Sequence, residues 1–344
     1  MGAPAHHRPG GGFRNPWPTA NGDRQPSVLR WWWERRRQEL PPDPAPDAFP
    51  RGRPRIEYPR ARPGTLTATW VGHSTFLLQV GPLNVLTDPV WSERASPFRA
   101  AGPKRFTPPG VPFEDLPPID AVLLSHDHYD HLDDPTVRAL VRRYGDEITW
   151  FTPLGYADWF GRRGVRRLVE LDWWQTATLG ELEVRCLPAQ HWSSRSPFVR
   201  FQRLWGSWSL RANDGFAVYF GGDSGWFPGY EQIGQSTGPF DLVLMPIGAY
   251  EPRWFMRQAH MNPEEAVRAY LELGGRGVLG AMHWGTFRLT DEDPLEPPRR
   301  LREAWISAGQ KEADLWIARH GDTWTNRADW SLEGLAGGPR RLDP

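Results

Sequence analysis

The chain is short of several things at once. It has one cysteine, Cys186, in 344 residues, which excludes an internal disulfide and a zinc–cysteine cluster. Lysine is nearly missing: Lys104 and Lys311 are the only two among 41 cationic side chains, and the rest are arginine. Arginine presents a planar fork that suits phosphate better than the lysine point charge, although a GC-rich coding sequence yields the same bias. Formal net charge is zero, so no global field draws the molecule to nucleic acid or anionic lipid, and no nucleic-acid partner is expected. No apolar run nears the roughly 18 residues of a membrane-spanning helix, and the opening MGAPAHHRPGGG lacks the apolar segment of a secretory signal. These absences point to a cytoplasmic protein, or one held peripherally on the cytosolic face of a membrane.

What is abundant is tryptophan, at 20 residues. A side chain this large and amphipathic is favoured in cores, in ligand pockets and at membrane interfaces. Along the chain, residues 1–12 (Gly, Pro and His) read as disordered, and 13–65 as an arm rich in proline, arginine and tryptophan. In the arm, Ser27 can cap a short helix reaching Leu40, with Trp31, Trp32 and Trp33 ahead of Arg35, Arg36 and Arg37. That order suits an interfacial helix, whereas packing on the protein's own core is the commoner fate of tryptophan. Residues 66–325 alternate short β-rich runs with helical stretches, the pattern of a layered α/β catalytic domain, and 326–344 read as a tail. Expected strands are 66–71, 75–80, 84–87, 119–125, 148–151, 166–170, 182–187, 216–221, 241–246 and 277–282; expected helices are 134–144, 155–163, 262–273 and 297–309.

The densest chemistry is His126-Asp127-His128-Tyr129-Asp130-His131, directly after the apolar run IDAVLLS. Imidazole and carboxylate are ligands for zinc, and also for iron or manganese. His126 and His128, two apart on extended chain, can share one ion; Asp130 and His131, after a bend, can face a second. One loop cannot complete two coordination shells. Further donors follow other apolar runs: His191 after LEVRCL, Asp223 after FAVYFGG and His283 after VLGAM. Alone, each such histidine is as readily structural, but ligands in α/β sheets gather where strands end.

These residues sit in longer motifs: NPWP (15–18), TWVGHSTFLL (69–78), LTDPVWSERASP (86–97), LPPIDAVLLSHDHYDHLD (116–133), QHW (190–192), PIGAYEPRWFM (246–256), NPEEAV (262–267) and HWGTF (283–287). Together they resemble the N-acyl-phosphatidylethanolamine-hydrolysing phospholipase D family of the metallo-β-lactamase superfamily, from about residue 13 to about 325. The resemblance implies an αββα sandwich with a two-metal site at one edge and two zinc ions per chain. It implies His126, His128 and His191 on one zinc, Asp130, His131 and His283 on the other, and Asp223 bridging. It also places Tyr129 and His260 at headgroup-contacting positions, and implies a homodimer, for which the tryptophan-rich arm is one available interface.

A phosphodiester is anionic with a poor leaving group, so water needs activation. The expected reaction is attack of metal-bound hydroxide on phosphorus, giving N-acylethanolamine and phosphatidic acid, with Asp130, Asp223 and His260 as the catalytic side chains. The alternative is a hydrolase of the same fold acting on a soluble phosphodiester or a lactone. His73, in Gly72-His73-Ser74, is a candidate for orienting the ligands or a buried structural histidine. Trp159 and Phe160, beside Arg162 and Arg163, are the expected membrane contact, against the alternative that they pack inward.

Overall fold

The computed structural model describes residues 4–17, 27–45, 47–196 and 199–326. Fourteen strands form two seven-stranded sheets among these residues. The first holds β1 (Leu66–Gly72), β2 (Thr75–Val80), β3 (Leu83–Thr87), β4 (Ala121–Leu123), β5 (Thr149–Pro153) and β6 (Leu168–Leu171). The second holds β7 (Thr176–Leu179), β8 (Leu182–Leu187), β9 (Ser207–Ala212), β10 (Ala217–Phe220), β11 (Leu242–Pro246), β12 (Val278–Met282) and β13 (Leu315–Trp316). The last strand, β14 (Thr323–Thr325), returns to pair with β1. Both sheets are mixed. β1, β2 and β3 are antiparallel neighbours, and β3 to β6 run parallel. Across the molecule β7 to β10 are antiparallel, and β10 to β13 parallel.

Every residue of β1, β2, β5 and β11 is buried, which is why these strands read as near-continuous apolar or Thr-rich runs rather than as alternation. One core fills the space between the sheets, where Trp70, Phe76 and Leu78 meet Trp208, Phe220 and Leu244. A second lies outside the second sheet under α4 (Tyr230–Thr237), α6 (Pro263–Glu272) and α7 (Glu296–Ser307), with Tyr230, Tyr270 and Trp305 buried. A third lies outside the first sheet under α2 (Asp134–Tyr144) and α3 (Ala157–Gly161). The layers are therefore α, β, β, α, as expected. Truncating one of the fully buried tryptophans would cost about 3–5 kcal/mol, so the core is where much of the tryptophan goes.

Two expectations are corrected. Trp159 and Phe160 do not form an exposed tip: α3 turns both inward against Trp150 and Tyr156, at 9% and 0% exposure, with the Arg163 guanidinium 3.5 Å over the Trp159 ring. A five-residue helix beside a β-sheet buries its apolar side, and that outweighs the interfacial composition. Residues 4–12 are not a loose end either. They fold back so that His6 is buried against Trp173, and Phe13 donates its backbone N–H to Phe201. In the arm, α1 (Val28–Arg35) begins at Ser27, whose hydroxyl accepts from Arg30 N, and ends short of Leu40. Trp31 packs on Phe255 of α5 (Arg253–Met256), while Trp32 and Trp33 are each 51% exposed. The tail beyond Asn326 lies outside the described residues.

Asn262 and Glu265 form a reciprocal capping box at the start of α6, with Pro263 at the first turn. Asn262→Ala should lower unfolding free energy by about 1 kcal/mol, read as a shift in the urea midpoint at constant slope. No shift would mean that water satisfies the helix end as well as the asparagine does.

Candidate metal centre

The strand ends deliver the chemistry. His73 follows β1, Asp88 follows β3, His126 lies just past β4, His191 past β8, Asp223 past β10 and His283 directly after β12. His128, Asp130 and His131 come from the turn that follows His126 and leads to α2. Three of these residues, His73, Asp88 and His283, hold a left-handed backbone at φ of 56°, 32° and 61°. Such conformations are costly for residues other than glycine and persist only where surrounding structure fixes them. Here the fixing contacts are visible: Thr286 Oγ1 accepts from His73 N, His73 O accepts from His283 N, and Asp88 N donates to Leu123 O.

Two groups of four donors result. One is His126, His128, His191 and Asp223; the other is His73, Asp130, His131 and His283. Protons are scarce in the first. Ser125 Oγ donates to Asp88 and so accepts from His126 Nδ1, while His191 Nδ1–H donates to Ala259 O. Both ring Nε2 atoms therefore carry lone pairs, and they sit 2.8 and 3.1 Å from the single Nδ1 of His128. At most one of these contacts can hold a proton. The arrangement repels itself unless a cation lies among the donors. Four nitrogens or oxygens about 2.0–2.1 Å from a tetrahedral ion stand about 3.3 Å apart, close to the spacing found.

Asp223 joins the groups. Its Oδ2 is 3.8 Å from His126 Nε2, 3.8 Å from His191 Nε2 and 3.1 Å from His131 Nε2, and its Oδ1 is 3.0 Å from His283 Nε2. The Oδ1 atom, both ring nitrogens of His283 and His131 Nε2 are buried without a hydrogen-bond partner, so these close contacts lack hydrogen-bond geometry. Asp130 Oδ2 stands 2.9 Å from His73 Nε2, 3.4 Å from His131 Nε2 and 3.5 Å from His283 Nε2. Donors unsatisfied by each other and aimed at shared points fit a metal.

Charge state agrees with that reading. Burial lowers His126 well below the usual imidazole range, His128 to about 4, and His191 and His260 to about 3, so these rings are neutral and ligand-competent. Burial opposes ionisation of Asp130 and Asp223, but the facing histidines overcome it and hold both well below the carboxylate range. His131 and His283 move the other way: burial disfavours their charged forms, yet Asp223 and Asp130 raise both, His283 to about 9. Two imidazoles that hold protons this firmly mark where the carboxylates call for positive charge.

All the expected ligands converge. His260 joins them, its Nδ1 3.8 Å from Asp223 Oδ2 and without a hydrogen-bond partner. Tyr129 sits at the rim, its hydroxyl donating to Arg195 O under the Arg195 guanidinium. His73 contacts Asp130 directly. Ser224 accepts from Gln190 N and donates to Gly225 O, bracing the backbone beside His191. Sequence reasoning missed Asp88. Its carboxylate accepts from Ser125 N at 2.7 Å, Ser125 Oγ at 2.5 Å and His131 Nδ1 at 2.7 Å, which turns His131 Nε2 toward Asp223. The signal was available: Asp88 follows an apolar strand, as Asp223 does. It also missed the role of Asp127, which faces away, pairs with Arg203 Nη1 at 2.8 Å and accepts from Ser194 N.

Residues 83–284 match the model of the Beta-lactamase superfamily domain. An uncharacterized protein of Mycobacterium tuberculosis is 47% identical over 263 residues, 73% of this chain and 69% of that one. The N-acyl-phosphatidylethanolamine-hydrolyzing phospholipase D 1 of Caenorhabditis elegans is 41% identical over 249 residues, covering 69% of each chain. Igni18, a metallo hydrolase of Ignicoccus hospitalis, superposes with a TM-score of 0.58 at 25% identity, covering 76% of this chain and 99% of that one.

Partners that orient a ligand are typically worth 10–100-fold in metal affinity. Asp88→Asn should therefore weaken metal retention by that factor in competition with a chromophoric chelator, with the far-ultraviolet circular dichroism unchanged. Unaltered retention would show that His131 needs no orienting carboxylate.

Proposed function

The chain belongs to the N-acyl-phosphatidylethanolamine-hydrolysing phospholipase D family of the metallo-β-lactamase superfamily and is a metal-dependent hydrolase; we propose that it is a two-zinc phosphodiesterase releasing N-acylethanolamine and phosphatidic acid from N-acyl-phosphatidylethanolamine. The observation that carries the proposal is the Asp223 carboxylate, which turns one oxygen to His283 and the other to His126, His131 and His191. A carboxylate so placed would suit two cations, one on each side. His126, His128 and His191 would hold one zinc, and Asp130, His131 and His283 the other. Bound there, the pair would supply an activated water and Lewis acidity toward the phosphoryl oxygens.

The chain's own residues account for the rest. His73 donates to Asp130 and limits the directions that carboxylate can take. His260, kept neutral by burial, faces Asp223 and offers one hydrogen bond to the substrate without adding charge. Tyr129 and Arg195 form the rim on the side of the 193–203 loop. From that loop Arg200 stacks 4.7 Å over Trp192, whose ring is 4.5 Å from His128. A guanidinium stacked on the ring that packs against His128 suits an anionic diester better than a neutral lactone.

One turnover in heavy-oxygen water should place the label in phosphatidic acid; label in the alcohol would mean cleavage on the carbon side and end the reading. Metal analysis should return at least two zinc per chain. The N-acyl lipid should be cleaved at least about tenfold faster than a generic aryl phosphodiester, and the reverse preference would favour a soluble substrate.

A lipid substrate calls for a docking face, and α1 is a better one than α3. Arg36 and Arg37 lie 3.7 and 3.3 Å over the exposed rings of Trp32 and Trp33, the aromatic-plus-cation composition of a headgroup contact. The helix packs through Trp31 on Phe255, five residues before His260. Replacing Trp32 and Trp33 by serine should reduce sedimentation with liposomes severalfold while sparing hydrolysis of a short soluble diester. Equal loss of both activities would refute docking.

A further inference from the structure

Apart from the candidate metal centre, the described residues hold one other cluster of ligand-type side chains. We propose that His6, His7 and Asp172 form a separate site for one divalent transition-metal ion of the zinc class, which clasps the amino-terminal strap onto the body of the protein.

Asp172 occupies the turn that carries the chain from β6, at the edge of the first sheet, to β7, at the edge of the second. His6 Nε2 stands 2.7 Å from its Oδ1 and His7 Nε2 2.8 Å from its Oδ2. Consecutive residues usually send their side chains apart, yet these two imidazoles meet on one carboxylate. Aromatic packing presets both rings: His6 stacks on Trp173 at 4.2 Å and 25°, and His7 sets its edge to Phe13 at 5.1 Å and 76°. The carboxylate is oriented too, since Trp173 N donates to Oδ1 and Gln175 Oε1 accepts from Asp172 N. A set of donors whose directions are fixed by neighbours outside the set is what a metal site requires.

The set is two imidazole nitrogens and one carboxylate, three protein ligands of the kind zinc accepts. The donor atoms are within 4.8 Å of one another, and none belongs to the other donor groups. Shifts of under about 1 Å at the end of a surface strap would open the contacts to the roughly 3.3 Å spacing around a tetrahedral ion. Exposure falls off across the cluster, with the His6 side chain at 8%, Asp172 at 15% and His7 at 29%, so the fourth position opens to solvent beside His7.

The clasp would hold more than itself. The same strap donates Phe13 N to Phe201 O, lays Arg8 over the Phe201 ring at 4.5 Å, and donates Asn15 Nδ2 to His191 O at 2.9 Å. An ion at Asp172 would thus steady the 193–203 loop and the backbone of His191 from outside.

The test uses full-length protein dialysed against buffered free zinc. Wild type should bind one more equivalent than His6→Gln/His7→Gln, and Asp172→Asn should lose the same equivalent while its amide oxygen still caps Trp173. Trypsin supplies a second readout at the exposed Arg14, whose bond to Asn15 it can cut and whose N donates to His6 O. With free zinc at about ten times the dissociation constant, mass action should slow cleavage about tenfold in wild type and not in the double variant. Equal zinc content in wild type and double variant, or cleavage at Arg14 that ignores zinc, would overturn the proposal and leave a plain hydrogen-bonded clasp. Because the comparison counts a difference between two proteins that share the centre at Asp223, it stands or falls independently of what that centre does.

Discussion

Mutual repulsion among buried donor atoms is the constraint around which the molecule is organised. The lone pairs of His126, His128 and His191 face one another, the Asp223 carboxylate is sealed from water beside them, and the Asp130 side chain is only 13% exposed. Uncompensated, each buried charge would cost several kcal/mol, and a protein only about 5–15 kcal/mol stable could not carry two. Cations at the centre turn that cost into binding free energy, so folding and metal uptake are thermodynamically linked. The raised basicity of His131 and His283 offsets that cost only in part.

The two sheets make this possible by bringing strand ends to one rim. Six separate chain segments contribute a donor or a donor's support, and none is a flexible loop tip. His73 and His283 lock each other through a backbone hydrogen bond while both hold left-handed conformations. Asp88 does the same for the opposite side, joining β3 to the Ser125–His126 segment and to His131. A site on such rigid supports can keep a spacing of a few ångströms that a loop could not.

Much of this was written in the sequence, for physical reasons. Fully buried strands leave long apolar runs, and a ligand placed after such a run is visible as a polar residue at an abrupt boundary. His126, His191, Asp223 and His283 all follow that rule. Strands of weaker composition were harder to see: β7 (TATL) and β9 (SWSLRA) carry too few apolar residues to signal pairing, and the two-residue β13 has no pattern of its own. Residues whose role depends on distant partners were invisible for a different reason. Nothing near Asp127 announces Arg203, 76 positions away, and nothing in the opening histidines announces Asp172. Trp159 and Phe160 misled because composition cannot tell which side of a short helix faces the sheet.

Asp127 has a consequence for how this enzyme can change. It sits between two metal-binding residues, yet its carboxylate holds Ser194 N and Arg203, and its carbonyl accepts from Arg195. The segment around Ser194, Arg195 and Arg203 is thereby bolted to the same turn that carries His126, His128, Asp130 and His131. Altered selectivity and altered ion retention should then be inherited together, and double-mutant cycles across Asp127 should show strong non-additivity. Drift toward new substrates would proceed most easily through positions on the loop that leave this bolt intact.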